Sequence, residues 1–300
     1  MIDETKVKQL AEKIGKSDAV VIGAGSGLSS AAGFDHYHKN EWFTERFAAF
    51  EETYGFQNLF EGFYHVYNTP EEEWGFVSKY IKLMYDAPPG QPYLDLYEIV
   101  KEKSYFVLTS NADMQCSKTF PEDRICLFQG DFRFFQCSQP CHDQVYDNRN
   151  LIDAMMELRD GLKILPEAVP RCPECGRRMI PWVRDYEFLE GMFWKDGVRR
   201  YQEFLQEHLL RRKEQVLFLE LGVGDMTPSV IRLPFWDMVK KNENTFYASV
   251  NIDKVEEPEH IKERAIAVSA DIGAVLRKIR QWREEAVYED SADTKCDNAN

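Results

Sequence analysis

The chain has 300 residues, of which 44% are hydrophobic, so it can bury a sizeable core and is expected to form one large domain with small modules. It carries 51 acidic and 37 basic side chains, a net charge of −14, which argues against general nucleic-acid binding. No stretch approaches the roughly 18 apolar residues of a membrane span. The charged start, residues 1–15, has no apolar signal core. These features predict a cytoplasmic protein without nucleic-acid or membrane partners.

Five short apolar runs recur along the chain, at 19–22, 105–108, 216–219, 246–250 and 265–268. Such runs, without polar alternation, are typical of strands buried on both faces of a parallel sheet. Helical patterns precede the first three runs, at 4–14, 91–103 and 198–213. The alternation predicts an α/β fold, an open parallel Rossmann-like sheet with helices on both sides. Ligands bind such sheets at the carboxyl ends of the strands.

Two stretches interrupt this alternation within a catalytic domain that we expect to span 1–286. Residues 35–90 are rich in aromatic side chains and contain a helix start at Thr69 and Pro70. They predict a small helical module whose aromatic rings form its own core rather than a cofactor or substrate groove. Residues 130–190 contain paired cysteines. The polar tail, 287–300, is predicted to be disordered.

Four of the seven cysteines form two close pairs, Cys137 with Cys141 and Cys172 with Cys175. Four thiolates can bind zinc tetrahedrally, so the pairs predict a closed structural site in a zinc-ribbon module over 130–190. The gap between the pairs is longer than usual. Four unligated buried thiols, or a redox pair, are therefore the alternatives. His142, beside Cys141, is a rival ligand.

Two glycine turns follow strands, one at Gly23-Ala24-Gly25-Ser26-Gly27-Leu28-Ser29 and one at Gly222-Val223-Gly224. Glycines at such turns let the backbone approach a pyrophosphate, and the following helix supplies free N–H groups. Asn251 and Asp253 after the fourth run suit ribose hydroxyls, with turn capping as an even alternative. Together these motifs predict a dinucleotide across the sheet edge, although Leu28 stands where the usual pattern has its third glycine.

These motifs, in this order, resemble the sirtuin family over about residues 5–282. The further similar segments are Thr109-Ser110-Asn111-Ala112-Asp113, the four paired cysteines, Val250-Asn251-Ile252-Asp253 and Ser269-Ala270-Asp271-Ile272-Gly273. The resemblance implies NAD and zinc as cofactors. The NAD-binding residues that it implies are Gly23, Ala24, Gly25, Leu28, Ser29, Ser110, Asn111, Asp113, Gln129, Gly222, Val223, Gly224, Asn251, Asp253, Asp271 and Ile272.

The chain departs from deacetylating sirtuins where they carry a catalytic histidine, because Gln129 stands there. Histidine titrates near neutrality and can activate a ribose hydroxyl, whereas an amide accepts no proton at any useful pH. The family's Pro-Asp-Phe-Arg segment is replaced by 34–38, and its peptide clamp by 181–185. We therefore expect a chain that breaks the glycosidic bond of NAD but passes ADP-ribose to an acceptor.

This pattern resembles the macrodomain-linked, class M, microbial sirtuins, which implies a protein mono-ADP-ribosyltransferase. In that resemblance the catalytic residues are Asn111, which orients the nicotinamide ribose, Asp113, which contacts nicotinamide, and Gln129, which holds a ribose hydroxyl. It also implies a lipoylated glycine-cleavage H-like carrier protein as substrate and a macrodomain hydrolase as partner. The alternatives are an NAD-dependent deacylase in which His36 or His38 supplies the base, and a non-enzymatic NAD or ADP-ribose sensor. Each histidine is otherwise expected on a surface loop.

Overall fold

The computed structural model describes residues 2–226, 228–253 and 255–297, with side chains described as far as Glu285. The strands are β1 Ala19–Ala24, β2 Ser104–Thr109, β3 Ile125–Leu127, β4 Gly130–Cys137, β5 Tyr146–Asp147, β6 Arg159–Asp160, β7 Lys163–Ile164, β8 Met179–Val183, β9 Val216–Leu221, β10 Thr245–Asn251 and β11 Ala265–Ser269. The helices are α1 Glu4–Lys16, α2 Ser26–Ala31, α3 Glu41–Tyr54, α4 Leu59–Phe63, α5 Pro70–Asp86, α6 Gln91–Val100, α7 Gln115–Thr119, α8 Arg149–Glu157, α9 Met192–Leu205, α10 Arg232–Lys241 and α11 Ile272–Asp297. Within the described ranges, none of these helices combines the length and the hydropathy needed to cross a bilayer.

A parallel sheet of six strands in the order β11-β10-β9-β1-β2-β3 forms the centre of the fold. All five predicted runs lie in this sheet, so the predicted fold class is confirmed. The sequence did not predict β3, because three residues are too short to show a periodicity. The chain leaves β1 in one direction for β2 and β3 and returns on the other side for β9. The carboxyl ends of β1 and β9 therefore form the switch point at which such sheets bind ligands.

Helices cover both faces of the sheet, which explains why its strands lack polar residues. Alternate side chains of a strand point to opposite faces. Val20 and Ile22 of β1 pack in the cluster that includes α1, α6 and α11, whereas Val21 packs in the cluster under α9 and α10. The predicted helix 198–213 is α9, which starts earlier and continues as a π-type turn to Arg211.

The helical module (α3 to α5) and the zinc module (β4, β5 and β8) share one hydrophobic core. Trp74 of α5 packs on Phe135 of β4, with ring centroids 4.9 Å apart. The backbone N–H of Glu72 donates to the Thr69 hydroxyl, which caps α5 at the predicted start. Most rings of the helical module are buried, as predicted, but the core that they form extends into the zinc module.

The backbone of α11 continues through most of the tail. The helix runs to Asp297, so residues 287–297 have a helical backbone where we expected disorder over 287–300. The segment contains neither proline nor glycine, so no residue in it stops a helix. Residues 298–300 lie outside the described residues.

Candidate functional site

The two glycine turns meet where β1 and β9 end. The backbone N–H of Gly25 donates to the Leu221 carbonyl at 2.9 Å, and that of Gly27 to the Gly222 carbonyl at 2.8 Å. Gly222 has a φ of +64°, and a Cβ at this residue would lie 2.5 Å from the Cα of Gly27. Only glycine fits so close an approach at this φ. Some of these glycines are therefore needed so that the two turns can pack against each other.

Two adjoining cavities open above this edge of the sheet. The first, of about 470 Å³, lies beside the helical module and is called the module cavity here. The second, of about 570 Å³, follows the glycine turns and is called the turn cavity. Residues that line both are Ser26, Tyr37, Ser110, Asn111, Gln129 and Met226. Each volume is within the range of small-molecule sites, so an elongated ligand can occupy both across this boundary.

The structure divides the predicted cofactor-binding residues into two groups. Those that line the cavities are Ser110, Asn111, Asp113, Gln129, Gly222, Gly224, Asn251, Asp253, Asp271 and Ile272. Those that are buried behind the cavity walls are Gly23, Ala24, Gly25, Leu28, Ser29 and Val223. The second group supports the first, because Ser29 hydrogen-bonds Asn111 and the side chain of Leu28 packs in the core under the sheet edge.

Asn111 is held by three contacts of its side-chain nitrogen. Nδ2 donates to the Gly25 carbonyl at 2.8 Å, to Ser29 Oγ at 3.1 Å and to Tyr93 Oη at 3.2 Å. A carbonyl can only accept, so Gly25 fixes which end of the amide faces inward. The Oδ1 atom makes no hydrogen bond with a described residue. Asn111 therefore presents an acceptor where the cavities join.

Gln129 is half-buried at the same boundary, and its backbone is held on both sides. Arg184 N–H donates to the Gln129 carbonyl at 3.0 Å. Gly130 follows with a φ of +90°, and a Cβ on it would lie 2.0 Å from the Trp182 carbonyl oxygen. The side-chain amide of Gln129 makes no hydrogen bond with a described residue, which leaves this amide available to a ligand.

Asp113 is buried in the wall of the module cavity and is paired with His36. Asp113 Oδ2 lies 3.3 Å from His36 Nε2, and Oδ1 accepts from the Gln115 N–H at 3.1 Å. Burial would raise the pKa of Asp113, but the hydrogen bond and charge of His36, with donors from Ser29 and Gln115, lower it below its usual value. Asp113 is therefore an ionised acceptor in the cavity.

The surface-loop expectation is right for one histidine and wrong for the other. The His38 side chain is 80% exposed and lies 2.9 Å from the Asp35 carboxylate. The His36 side chain is only 13% exposed, because it contacts Asp113 and also lies 2.8 Å from Tyr80 Oη. One residue separates the histidines in sequence, yet the turn buries the His36 ring in the site and leaves the His38 ring mostly exposed at the edge of the turn cavity.

Sequence reasoning missed the aromatic wall of the module cavity. This wall includes Tyr37, Phe60, Phe63, Tyr64 and Tyr80. The expectation that the module's rings serve only its core is therefore wrong for part of the set. No local pattern distinguishes these rings from core rings, because the difference depends on packing against residues distant in sequence.

The far end of the turn cavity combines ligand-facing and capping roles. Asn251 Nδ2 donates to the Val223 carbonyl at 3.3 Å, and its Oδ1 accepts from the Asp253 N–H at 3.4 Å. Asp271 caps α11 by accepting from the Ala274 N–H at 2.7 Å. The turn-capping alternative therefore describes part of what Asn251 does, while the exposed Asp253 carboxylate stays open to the cavity.

The four paired cysteines lie together, with all sulfur atoms within 4.8 Å of one another. Cys137 Sγ lies 3.6 Å from Cys175 Sγ, and Cys141 Sγ lies 3.7 Å from Cys172 Sγ. Tetrahedral zinc, with bonds of about 2.3 Å, places thiolates about 3.8 Å apart. The cluster is therefore compatible with the predicted zinc site. His142 Nδ1 lies 3.0 Å from Cys141 Sγ, which makes this ring a neighbour of the cluster.

No protein-family model matches the chain. Among solved structures, a Sir2 homologue in complex with NAD has a TM-score of 0.61 and 16% identity, covering 93% of this chain and 94% of that one. A Sir2–p53 peptide–NAD complex has a TM-score of 0.59 and 17% identity, covering 93% of this chain and 98% of that one. These likenesses show the sirtuin fold.

A protein ADP-ribosyltransferase from Staphylococcus aureus strain Mu50 is 36% identical over 283 residues, covering 92% of this chain and 88% of the relative. The chain belongs to the sirtuin-like protein ADP-ribosyltransferase family. A probable bifunctional ADP-ribose hydrolase/ADP-ribosyltransferase from Fusarium oxysporum f. sp. cubense is 29% identical over 77% of this chain, which spans 40% of that relative. An NAD-dependent protein deacetylase 1 from Pyrobaculum aerophilum is 21% identical over 83% of this chain and 85% of the relative.

This membership confirms the predicted sirtuin relationship. The predicted class of enzyme, an ADP-ribosyltransferase that acts on NAD, agrees with the family to which the sirtuin-like chain belongs. The zinc prediction agrees with the cysteine cluster. The identities of the individual NAD-binding and catalytic residues stay predictions.

Proposed function

We propose that this sirtuin-like chain is an NAD-dependent protein mono-ADP-ribosyltransferase. The observation that carries the proposal is the pair of amides, Asn111 and Gln129, at the boundary of the two cavities. NAD would place its adenosine along the turn cavity and its nicotinamide in the module cavity. The bond between nicotinamide and the ribose C1′ would then lie near the two amides, which can hydrogen-bond ribose hydroxyls without exchanging protons.

The reaction balances without a protein base. The C1′–N bond of NAD breaks, its electron pair stays with the departing nicotinamide, and an acceptor atom of the protein substrate bonds to C1′. A carboxylate acceptor has no proton to lose, and a neutral acceptor releases one proton to solvent. Asp113, an acceptor in the module cavity, would bind the amide group of nicotinamide, while Asn111 Oδ1 and the Gln129 amide would hold ribose hydroxyls.

Two features weaken the deacylase alternative. It requires a base to activate a ribose hydroxyl, and Gln129 cannot accept a proton. His36 already contacts Asp113 and Tyr80 through its two ring nitrogens, and His38 is 80% exposed beside Asp35. His36 therefore has no free ring nitrogen to serve as that base, and most of the His38 ring lies in solvent, held by Asp35 through Nδ1.

We further propose a lipoylated glycine-cleavage H-like carrier protein as the acceptor and a macrodomain hydrolase as the partner that removes the mark. Apolar side chains such as Phe60, Phe63 and Val183 line the module cavity, which suits an apolar arm. The Fusarium relative, whose name combines a hydrolase with a transferase, supports the pairing of the two activities. We place the protein in the cytoplasm, since its odd number of cysteines does not indicate a disulfide framework.

The test incubates labelled NAD with the carrier, with and without its lipoyl group, and separately with acyl-lysine peptides. Label retained on the carrier, with a matching gain in intact mass, supports transfer. Acyl-ADP-ribose release would indicate a deacylase, and binding without nicotinamide release would indicate a sensor. The Q129A and N111A variants should lose transfer while staying folded. Q202A, an exposed glutamine on α9, is the matched control and should keep it. Transfer retained in both site variants would contradict the site assignment.

A further inference from the structure

His36 joins three parts of the molecule through one residue. Its ring contacts Asp113, which follows β2, and Tyr80 of α5. Its carbonyl accepts from the backbone N–H of Phe60 in α4 at 2.9 Å. These contacts link the loop that follows α2, which carries His36, to α4 and α5 and to the buried Asp113 carboxylate. The ring also lines the module cavity.

The contacts fix the hydrogen-bonding state of the ring. The ionised Asp113 carboxylate only accepts, so His36 Nε2 must carry a hydrogen. In the neutral ring, Nδ1 is then an acceptor, and the Tyr80 hydroxyl donates to it across 2.8 Å. With both nitrogens engaged, His36 has no free hydrogen-bonding atom for a substrate. Its polar effect on a ligand therefore passes through the groups that it contacts, of which Asp113 is the charged one.

We propose that His36 is a positioning residue, which ties the helical module to Asp113 and so fixes the carboxylate that receives the nicotinamide end of NAD. The inference rests on the proposed function for the identity of that ligand. Asp113 has two fixed partners, His36 on Oδ2 and the Gln115 N–H on Oδ1. Removing the histidine contact leaves Oδ2 without its partner from the helical module, so the carboxylate can rotate away from the cavity.

The same contact keeps Asp113 ionised. Other titratable groups that interact with its charge are Tyr37, Tyr80, Tyr93, Cys116 and Lys118. Tyr64, which follows α4, and Asp35, on the loop of His36, act in turn on Tyr37. The tyrosine and cysteine pKa values are raised, so these groups stay neutral in a titration between about pH 5 and 8, whereas burial lowers the pKa of Lys118. Without His36, only the donors from Ser29 and Gln115 oppose the effect of burial, so the pKa of Asp113 rises and NAD binding is lost at a higher pH as the solution is acidified.

The test compares two amides of different length at this position. In H36Q, the side-chain NH2 can take the place of Nε2 and donate to Asp113. In H36N, the shorter amide reaches Tyr80 but falls short of Asp113. The readout is the NAD dissociation constant from calorimetry between pH 5.5 and 8, with nicotinamide release and thermal unfolding measured in parallel. H260A, an exposed histidine that follows β10, is the matched control.

We expect H36N to bind NAD about tenfold more weakly at pH 7.5, the effect of losing one hydrogen bond to a charged group. H36Q should stay within about threefold of the unmodified chain at that pH. As the solution is acidified, both variants should begin to lose NAD affinity at a higher pH than the unmodified chain does. The reason is that neither amide carries a charge that lowers the pKa of Asp113. Equal affinities and pH profiles for H36N and the unmodified chain would overturn the proposal, as would equally weak binding by H36Q and H36N. An unmodified chain that binds NAD but releases no nicotinamide would refute the proposed function and leave these binding results standing.

Discussion

The orientation of the Asn111 amide provides a sharp test, because one substitution exchanges a single atom. In N111D, an oxygen takes the place of Nδ2, 2.8 Å from the Gly25 carbonyl oxygen. Ser29 and Tyr93 carry hydroxyls that can rotate and donate to a carboxylate. The Gly25 carbonyl cannot adapt: it keeps the Leu28 N–H at 3.0 Å, but it loses its side-chain donor and faces a second acceptor.

The cost follows from that one contact. Losing a hydrogen bond costs about 1 kcal/mol, and burying the new carboxylate oxygen against an acceptor costs about 1–3 kcal/mol more. The free energy of unfolding of N111D should therefore fall by about 2–4 kcal/mol at neutral pH. A chain of this size loses about 2 °C of melting temperature per kcal/mol, which gives a decrease of about 4–8 °C.

The penalty should also depend on pH in a defined direction. Burial beside Gly25 raises the pKa of the new carboxyl group in the folded state above its unfolded value. A protonated carboxyl group can donate to the Gly25 carbonyl, so the folded variant binds a proton more tightly than the unfolded one. Its stability relative to the unmodified chain is then greatest below the unfolded pKa of about 4 and decreases as the pH rises through the folded value.

The measurement is urea unfolding of N111D, N111A and the unmodified chain at pH 5 and pH 7.5. N150D, an exposed asparagine near the start of α8, controls for the added charge and should change little. N111A should be destabilised with no pH dependence of its own. If N111D matches the unmodified chain in stability at pH 7.5, the Asn111 nitrogen does not donate to Gly25, and the argument that Oδ1 faces the cavity fails.

Two further predictions concern the elements that support the site. G130A should lower the free energy of unfolding by about 2–4 kcal/mol in urea titrations. The φ of +90° at Gly130 and the 2.0 Å approach to the Trp182 carbonyl oxygen both exclude a methyl group. Unchanged stability would contradict the geometry beside Gln129. C172S should bind fewer than about one zinc per chain by mass spectrometry and should melt at a lower temperature. C126S changes a buried thiol outside the cluster and should keep its zinc. Equal zinc in both variants would refute a four-cysteine site.

The features that could be predicted from the sequence are those that local chemistry decides. A run such as Val20-Val21-Ile22 can only be a strand buried on both faces, and Thr69 with Pro70 starts a helix wherever the rest of the chain lies. The spacing of the cysteine pairs likewise predicts a metal site. The resemblance to a known family added the predicted roles of Asn111 and Gln129, which no periodicity carries and which stay predictions.

What could not be predicted depends on contacts between distant segments. Tyr80 lies 44 residues from His36, and Asp113 lies 77 residues from it, so no local window brings the three together. The shared core of the helical and zinc modules escaped prediction for the same reason, since each segment looks self-sufficient when its apolar residues are counted alone. The predicted surface position of His36 was wrong because a histidine in a turn is usually solvated, and only contacts with distant residues bury this one.

The short helix α4 shows how one segment serves both the core and the cavity. Leu59 and Gly62 are buried, and a Cβ on Gly62 would lie 2.4 Å from the Phe76 ring, so α4 packs tightly on α5 along this side. Phe60, Phe63 and Tyr64 are spaced at i, i+3 and i+4, which places them on another side, where they line the module cavity. Tyr64 is 52% exposed and Phe60 is 38% exposed. Keeping aromatic rings partly in water costs free energy, which a ligand recovers by covering them, so an acceptor that enters here must bring apolar surface to the ribose.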